Sequence, residues 1–259
     1  MKISIIGAGN MGGAIARGLK NSDVELCCAD RSTEVLNSLK TEVPKVIVTN
    51  DNSEAVKGAD IVIIAVKPWL VETVIHEIKQ NIEYQKQIVI SIAAKVTFEK
   101  LCSYLKKEDD TLPALLRIIP NTAIEVKESV NFISSFNASK EQTETVKSLF
   151  DKLGLSFVIE ERLLDAGTAL ASCGIAFAFR YIRAAVEGAV ELGLYPEQAK
   201  QIEIQTLKGA VALLEAKNSH PEMEIDKVTT PGGITIKGLN AMEEAGFTNA
   251  VIKGLKASV

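Results

Sequence analysis

The stretch KISIIGAGNMG, residues 2–12, decides the fold of the N-terminal part of this chain. Lys2–Ile6 is predicted to be a buried strand, and it runs directly into a G-x-G-x-x-G pattern that opens a helix with Ile15 and Leu19 on its inner face. Such glycines allow a tight turn, close approach of a pyrophosphate and close helix packing, while the helix N-terminus attracts the anion. A plain glycine turn is the simpler alternative. The stretch predicts a dinucleotide site formed by Gly7, Ala8, Gly9, Asn10, Met11 and Gly12.

The end of the second predicted strand bears on which dinucleotide binds. Asp30, Arg31 and Ser32 follow this strand, 23 residues after Gly7. An acidic residue there typically binds the ribose diol of NAD, whereas arginine and serine suit the 2′-phosphate of NADP. Arg31 and Ser32 therefore favour NADPH as the cofactor, with NADH as the alternative. Asp30 is expected to bind the ribose, to turn away from the cofactor or to cap the following helix.

Short apolar segments alternate with helical patterns through residue 160, which is typical of a parallel sheet with crossover helices. Residues 61–66, IVIIAV, are apolar throughout and mostly β-branched, as expected of a strand covered on both faces. We therefore predict that residues 1–160 form an α/β dinucleotide-binding domain with a Rossmann-type doubly wound sheet. The predicted strands are Lys2–Ile6, Val24–Ala29, Lys45–Thr49, Asp60–Val66, Gln87–Ile92, Ala114–Ile118, Val130–Ser134 and Leu155–Ile159.

After residue 160 the pattern becomes helical. Arg162–Leu192 is predicted to be one long helix, and Pro196 opens a second helix at a first-turn position. The apolar residues along these helices exceed what one chain could cover. We therefore expect residues 161–259 to form an all-α domain that assembles a homodimer or larger homo-oligomer. A monomeric helical bundle is the alternative.

Composition limits the classes of partner. The 259 residues include 29 basic and 33 acidic side chains, a net charge of −4, and only 5% aromatic residues. This composition lacks the basic footprint and the stacking platforms that are typical of nucleic-acid binding, and it lacks a basic face for anionic lipid. The uncharged run at residues 166–179 is 14 residues long, shorter than the roughly 20 that span a bilayer. We expect a soluble protein that handles small molecules.

Cysteine and histidine usage indicates a reduced compartment. The four cysteines and two histidines show no local metal-binding spacing, so no metal site is expected. Cys27 and Cys28 lie in an apolar segment and are expected to be core residues. A cytoplasmic location follows from this reasoning.

Five motifs together resemble the pyrroline-5-carboxylate reductase family. They are IGAGNM at 6–11, AVKP at 65–68, ISIAA at 90–94, PNT at 120–122 and VTTPGG at 228–233. The resemblance runs from residue 2 to about residue 250, and it implies NAD(P)H-dependent reduction of 1-pyrroline-5-carboxylate to L-proline, the last step of proline biosynthesis. Two alternatives are a related NADP-dependent reductase of another small imine or carbonyl compound, and a non-catalytic dinucleotide-binding protein.

The resemblance also implies roles for single residues on the cofactor side. Asn52 would lie near the adenosine ribose. The cofactor would be lined further by Ala65, Lys67, Pro68 and Ala93.

On the substrate side, the resemblance implies a site shared between protomers. Pro120 and Asn121 would lie near the nicotinamide. The turn that serves the partner's nicotinamide would bind the substrate through Thr230, Gly232, Gly233 and Thr235. Thr235 is the candidate catalytic residue, because its hydroxyl could hydrogen-bond the ring nitrogen. The motifs offer no general acid.

The sequence departs from the family pattern in one six-residue run and at two single residues. Residues 171–176, ASCGIA, lack the proline and the first serine of a Ser-Gly-Ser-Gly-Pro-Ala run at the bend of the long helix. A milder bend is expected there, with Gly174 as its remaining cause. Lys95 replaces a glycine, and Ala123 replaces a proline. These changes lie near the substrate region.

Overall fold

The short apolar segments form one sheet, and the longer amphipathic segments form helices between its strands. The computed structural model describes all 259 residues, and contacts within the chain divide them into two units, Met1–Ser172 and Cys173–Val259. The strands are β1 (Lys2–Ile6), β2 (Glu25–Ala29), β3 (Ile47–Thr49), β4 (Ile61–Ile64), β5 (Ile88–Ser91), β6 (Ala114–Ile119), β7 (Ser129–Phe136) and β8 (Gly154–Val158). All eight predicted strands are present, each end within two residues of the expected position.

The strand order places a crevice at the middle of the sheet. The order is β3-β2-β1-β4-β5-β6-β7-β8, and β1 to β6 are parallel. The direction of winding reverses between β1 and β4, the point at which doubly wound sheets bind ligands beyond the carboxyl ends of their strands. The helices of this unit are α1 (Asn10–Leu19), α2 (Thr33–Glu42), α3 (Asn52–Val56), α4 (Val71–Ile78), α5 (Phe98–Leu105), α6 (Lys140–Phe150) and α7 (Leu164–Gly167).

The parallel arrangement predicted from the sequence ends at β6. β7 runs antiparallel to β6, and β8 is parallel to β7. Residues 120–128 connect β6 to β7 and contain only a short 3₁₀ turn, Thr122–Val126. A parallel connection needs a crossover of a dozen or more residues, so this connection is too short for one.

The core covers both faces of the sheet. All four residues of β4 are buried, with Ile61 and Ile63 in one apolar cluster and Val62 and Ile64 in the other. Full burial of one such side chain contributes roughly 1.5–3 kcal/mol to folding. The uniformly apolar segment is therefore the covered central strand that the sequence predicted, and it holds the loops at its carboxyl end in place.

The second unit contains only helices and little core of its own. The helices of this second unit are α8 (Gly174–Glu191), α9 (Pro196–Lys217), α10 (Pro221–Val228), α11 (Ile234–Glu244) and α12 (Phe247–Lys256). Among its hydrophobic residues only Val186 and Ala199 are buried, whereas Leu192 and Ile234 are 88% and 87% exposed. Apolar surface of this extent marks an interaction surface.

The long helical run Glu161–Glu191 is long and apolar enough, by length and composition alone, to cross a membrane, and only 11% of its apolar window is buried in one chain. The expectation of no membrane-spanning segment rested on the uncharged run at 166–179, which is only 14 residues long. The longer run Glu161–Glu191 contains a few charged residues and is still apolar enough on average to span a membrane.

The boundary between the two units, after Ser172, lies 12 residues beyond the predicted domain boundary at residue 160. Residues 161–172 begin the long helical run but pack with the sheet unit. Glu161 forms an ion pair with Arg117 of β6 at 2.6 Å. The Ser172 hydroxyl donates to the Pro120 carbonyl at 3.0 Å.

Candidate active site

Strand pairing brings four loops together at the carboxyl edge of the sheet. Ile6 at the end of β1 lies opposite Ala29 of β2 and Ile64 of β4. Ile64 in turn lies opposite Ser91 of β5. The residues that follow these strands, which include the predicted cofactor residues, are therefore neighbours in space.

The three glycines of the first loop have three different reasons to be glycine. Gly7 has a φ of +98°, and a Cβ there would lie 2.8 Å from the Ala65 carbonyl oxygen. A Cβ on Gly12 would lie 1.9 Å from the Gly7 carbonyl oxygen, so this glycine allows the helix to pack against the turn. A Cβ on Gly9 would meet nothing within 4 Å. Gly9 therefore faces open space, where the backbone is free to approach a ligand.

The N-terminus of α1 is suited to an anion. Gly9 is its N-cap, no side chain caps the helix, and the first turn contains no acidic residue. The N–H groups of a first helical turn lack partners within the helix, and the helix dipole adds positive potential there. Open space at Gly9, together with these donors, fits the pyrophosphate of a dinucleotide.

Asp30 joins the first two loops of the edge. Its Oδ2 accepts from the Ala8 N–H at 2.8 Å, and its Oδ1 accepts from the Ser32 N–H at 2.9 Å. The cap of α2 is Ser32, whose hydroxyl accepts from the Val35 N–H at 3.3 Å. The expectation that Asp30 caps this helix is therefore wrong, and its carboxylate instead holds the glycine loop against the β2–α2 turn.

Arg31 and Asn52 share one carboxylate at the outer end of this edge. Glu77 of α4 lies 3.5 Å from the Arg31 guanidinium and accepts from the Asn52 amide at 2.6 Å. The sequence analysis did not find Glu77. No local signal could have revealed it, because its partners lie 46 and 25 residues away along the chain.

The loop after β4 leaves the carboxyl edge of the sheet and becomes exposed to solvent at Lys67. The Ala65 N–H donates to the Ile6 carbonyl at 2.8 Å and so extends the parallel ladder by one residue. Lys67 and Pro68 are exposed and begin a 3₁₀ turn, Pro68–Leu70. Trp69, the only tryptophan of the chain, is 74% exposed.

The loop after β5 contains one of the departures from the family pattern. Ala93 is buried, and its N–H donates to the Ser91 hydroxyl at 3.4 Å. Lys95 is exposed and has a φ of +63°, a left-handed conformation that glycine adopts readily and lysine does not. A glycine at this position in the family therefore has a conformational reason.

The loop after β6 is held by hydrogen bonds within the protein. Asn121 is buried, its Oδ1 accepts from the Ala123 N–H at 3.0 Å, and its Nδ2 donates to the Ala171 carbonyl at 3.4 Å. Pro120 is buried as well, and the Ser172 hydroxyl binds its carbonyl. Both ends of the Asn121 amide are therefore used inside the protein, so this side chain shapes the loop.

The long helical run has an irregular segment where the sequence departs from the family. Thr168–Cys173 forms a π-helix, a wider turn that often occurs at functional sites. The segment includes Ala171 and Ser172, which bind the Pro120–Asn121 loop. The irregularity therefore lies before Gly174, the residue to which the sequence analysis attributed a bend.

In the second unit, the turn before α11 is open and exposed. Gly232 has a φ of +72°, and the Gly233 N–H donates to the Thr230 carbonyl at 2.9 Å. Gly233 is the N-cap of α11, and no side chain caps this helix. Thr235 lies exposed in its first turn. The turn thus offers free N–H groups and a hydroxyl at one helix N-terminus.

The cysteines of β2 do not provide a reactive thiolate to this edge. Cys27 and Cys28 are both buried, as predicted from the apolar segment around them. Burial raises the pKa of the Cys28 thiol to about 12, and it also raises the pKa of Cys27. Both residues pack as small apolar side chains.

Comparison with known proteins decides the family. A family model described as pyrroline-5-carboxylate reductase dimerisation matches residues 161–259, and one described as NADP oxidoreductase coenzyme F420-dependent matches residues 2–95. Pyrroline-5-carboxylate reductase 2 of Dictyostelium discoideum is 36% identical over 99% of this chain and 90% of that protein. The chain belongs to the pyrroline-5-carboxylate reductase family. The resemblance inferred from the motifs is confirmed.

Other members of the pyrroline-5-carboxylate reductase family are similarly related. Pyrroline-5-carboxylate reductase 1 of D. discoideum is 39% identical over 99% of this chain, which spans only 48% of that longer protein. The structure of the Plasmodium falciparum pyrroline carboxylate reductase with NADP bound has a TM-score of 0.89 and 27% identity, covering 100% of this chain and 95% of that one. The predicted fold class, a Rossmann-type domain followed by a helical dimerisation domain, is confirmed.

Proposed function

We propose that this chain reduces 1-pyrroline-5-carboxylate to L-proline with a hydride from NADPH, the last step of proline biosynthesis. The observation that carries the proposal is the similarity to proteins named pyrroline-5-carboxylate reductase, which extends over 97–100% of the chain in the Bacillus subtilis and Danio rerio relatives. The chain is accordingly an NAD(P)H-dependent oxidoreductase that acts on a CH–NH group.

The first unit would hold the cofactor, which supplies the hydride when bound. The backbone of residues 7–12 would bind the pyrophosphate, because the donors at α1 face the open space beside Gly9. Arg31, Ser32 and Asn52 would hold the adenosine end. The remaining length would be lined by Ala65, Lys67, Pro68 and Ala93, which follow β4 and β5 at the same edge.

The second unit would hold the substrate. Free N–H groups at α11 suit a small carboxylate, and Gly232, which faces open space, would form this backbone site together with Gly233, which packs against Thr230. The Thr235 hydroxyl would hydrogen-bond the ring nitrogen of the substrate, with Thr230 beside it. Pro120 would form a wall of the nicotinamide pocket, and Asn121 would keep that wall in place through its hydrogen bonds.

The protein residues have few chemical steps to perform. A protonated imine carbon is already electrophilic, so the chain has to align it with the hydride donor and exclude water. No side chain is assigned as a general acid. The Thr235 hydroxyl would retain or relay the proton of the ring nitrogen.

Assembly follows from the second unit. The chain forms a homo-oligomer through its dimerisation domain, to which we assign residues 161–259, with residues 1–160 as the dinucleotide domain. We propose a cytoplasmic homodimer or larger assembly without membrane or nucleic-acid partners. The exposed apolar face of residues 161–191 would be covered by a second copy of this chain.

A kinetic assay tests the reaction. Purified protein with 1-pyrroline-5-carboxylate should oxidise NADPH or NADH and produce proline in equal amount. No oxidation with either cofactor would overturn the proposal. Oxidation with other small imines or carbonyl compounds alone would identify a related reductase. Cofactor binding without any turnover would identify a non-catalytic binding protein.

A pair of variants tests Thr235. Thr235→Ala should lower kcat, because the hydroxyl bond to the ring nitrogen is lost, while the Kd for NADPH stays unchanged. Thr235→Ser retains the hydroxyl and should restore most of the turnover. Equal kinetics for the alanine variant and the parent protein would remove this residue from the mechanism.

A further inference from the structure

The carboxylate of Glu77 contacts both proposed donors, Arg31 and Asn52, at the adenosine end of the proposed cofactor site. Glu77 Oε2 accepts from the Asn52 amide at 2.6 Å, and Glu77 Oε1 lies 3.5 Å from the Arg31 guanidinium. Arg31 follows β2, and Asn52 opens α3 after β3, so both donors lie at the carboxyl edge of neighbouring strands. The inference below rests on the cofactor site of the proposed function.

Guanidinium and amide donors in this position are suited to a phosphate. Arginine recognises phosphate through several N–H donors, and it accommodates the 2′-phosphate of NADP at the end of the second strand of such sheets. The carboxylate of Glu77 satisfies the same donors with oxygen atoms and negative charge. A 2′-phosphate and this carboxylate would therefore compete for Arg31 and Asn52.

The second acidic side chain of this region is already engaged. Both oxygens of Asp30 accept backbone N–H groups, from Ala8 and from Ser32. Asp30 is therefore fixed against the glycine loop. Glu77 is the acidic side chain that contacts the donors Arg31 and Asn52.

The contact of Glu77 with Arg31 adds little to stability. The two side chains are 41% and 69% exposed, and ion pairs at such exposed positions are screened by water and stabilise the fold little. The helix is held in place independently, because the Ser53 hydroxyl donates to the main-chain carbonyl of Glu77 at 2.9 Å. Replacing the carboxylate should therefore leave the fold intact.

We propose that Glu77 determines the cofactor preference of this chain, by competing with the 2′-phosphate of NADPH for Arg31 and Asn52. NADH lacks this phosphate and meets no such competition. The carboxylate thus reduces the preference for NADPH that the two donors would otherwise confer. Removing its charge shifts the preference toward NADPH, and reversing its charge shifts it further.

The test measures binding of two nucleotide fragments by calorimetry, independently of catalysis. The probes are adenosine 2′,5′-bisphosphate and adenosine 5′-monophosphate, and the quantity compared is the ratio of their Kd values. Glu77→Gln keeps an acceptor for Asn52 and removes the charge. We expect the Kd of the bisphosphate to fall about fivefold relative to that of the monophosphate, which is the scale of one exposed charge–charge interaction. Glu77→Lys should shift it further. The ratio of KM values for NADPH and NADH should move in the same direction.

A matched control separates local from general charge effects. Glu72 lies on the same helix and is exposed, and Glu72→Gln should leave the ratio unchanged. An unchanged ratio in both Glu77 variants, or an equal shift in the control, would overturn this inference and leave the cofactor site standing. Failure of the parent protein to bind either probe or NADPH would instead refute the nucleotide site itself, and the inference with it.

Discussion

Replacing Lys95 by glycine should stabilise the protein. Lys95 has a φ of +63° in the exposed loop after β5, where the family pattern has glycine. In this left-handed region the Cβ of an L-residue crowds its own backbone, and glycine avoids the crowding.

The expected gain is the difference between two opposing terms. The left-handed conformation costs a residue with a Cβ roughly 1–2 kcal/mol. Glycine loses more backbone freedom on folding, by roughly 0.5–1 kcal/mol. The net increase in the free energy of unfolding should be about 0.5–1 kcal/mol, which corresponds to a rise in Tm of about 1–4 °C for a chain of this size.

Urea unfolding followed by circular dichroism measures this gain. The midpoint should rise with an unchanged m-value, because the surface exposed on unfolding is the same in both proteins. All variants have to be compared at one protomer concentration, since the stability of an oligomer depends on it.

Two lysine variants provide matched controls. Lys127 has a φ of +64° in the loop after β6, and Lys127→Gly should give a similar gain. Lys40 is exposed within α2, and Lys40→Gly should lose about 1 kcal/mol because glycine disfavours helix. A gain at residue 127 without one at residue 95 would refute the strain argument for Lys95, and would indicate that its ammonium group contributes to stability.

Two further predictions concern the buried polar groups. Glu161→Ala should lower the free energy of unfolding by about 2–3 kcal/mol in urea melts, because it leaves the buried guanidinium of Arg117 without its carboxylate. Glu161→Gln should lower the free energy of unfolding by less. Equal stability of the alanine variant and the parent protein would contradict this account. Stability should also fall as the pH rises above 9, because burial raises the pKa of Cys28 and of Tyr84 to about 12 each, so the unfolded chain releases these protons first. Urea midpoints at several pH values check the sign, and Tyr84→Phe should reduce the slope.

Most of the fold could be predicted from the sequence, because the relevant signals are local. The glycine pattern after Lys2–Ile6 and the uniformly apolar residues 61–66 depend only on backbone sterics and on burial of both strand faces. Every predicted strand was present for this reason. The direction of β7 was missed because it depends on the length of one connection, residues 120–128, rather than on any strand pattern.

The candidate site could be predicted only in part. The motifs identified the loops that meet at the carboxyl edge, since parallel strands bring their ends together. They did not show how the side chains pair there. Asp30 was expected at the ribose or at a helix cap, and the structure uses it to hold Ala8 and Ser32.

The sequence by itself determined that this chain has a dinucleotide-binding sheet followed by apolar helices, because hydrophobic periodicity and glycine geometry act over a few residues. The tertiary structure alone decided which distant groups share a contact. It placed Glu77 between Arg31 and Asn52, and it left every hydrophobic residue of the second unit except Val186 and Ala199 at least partly exposed. Such pairings depend on strand order and helix position, and these are set by packing of the whole chain rather than by any one segment.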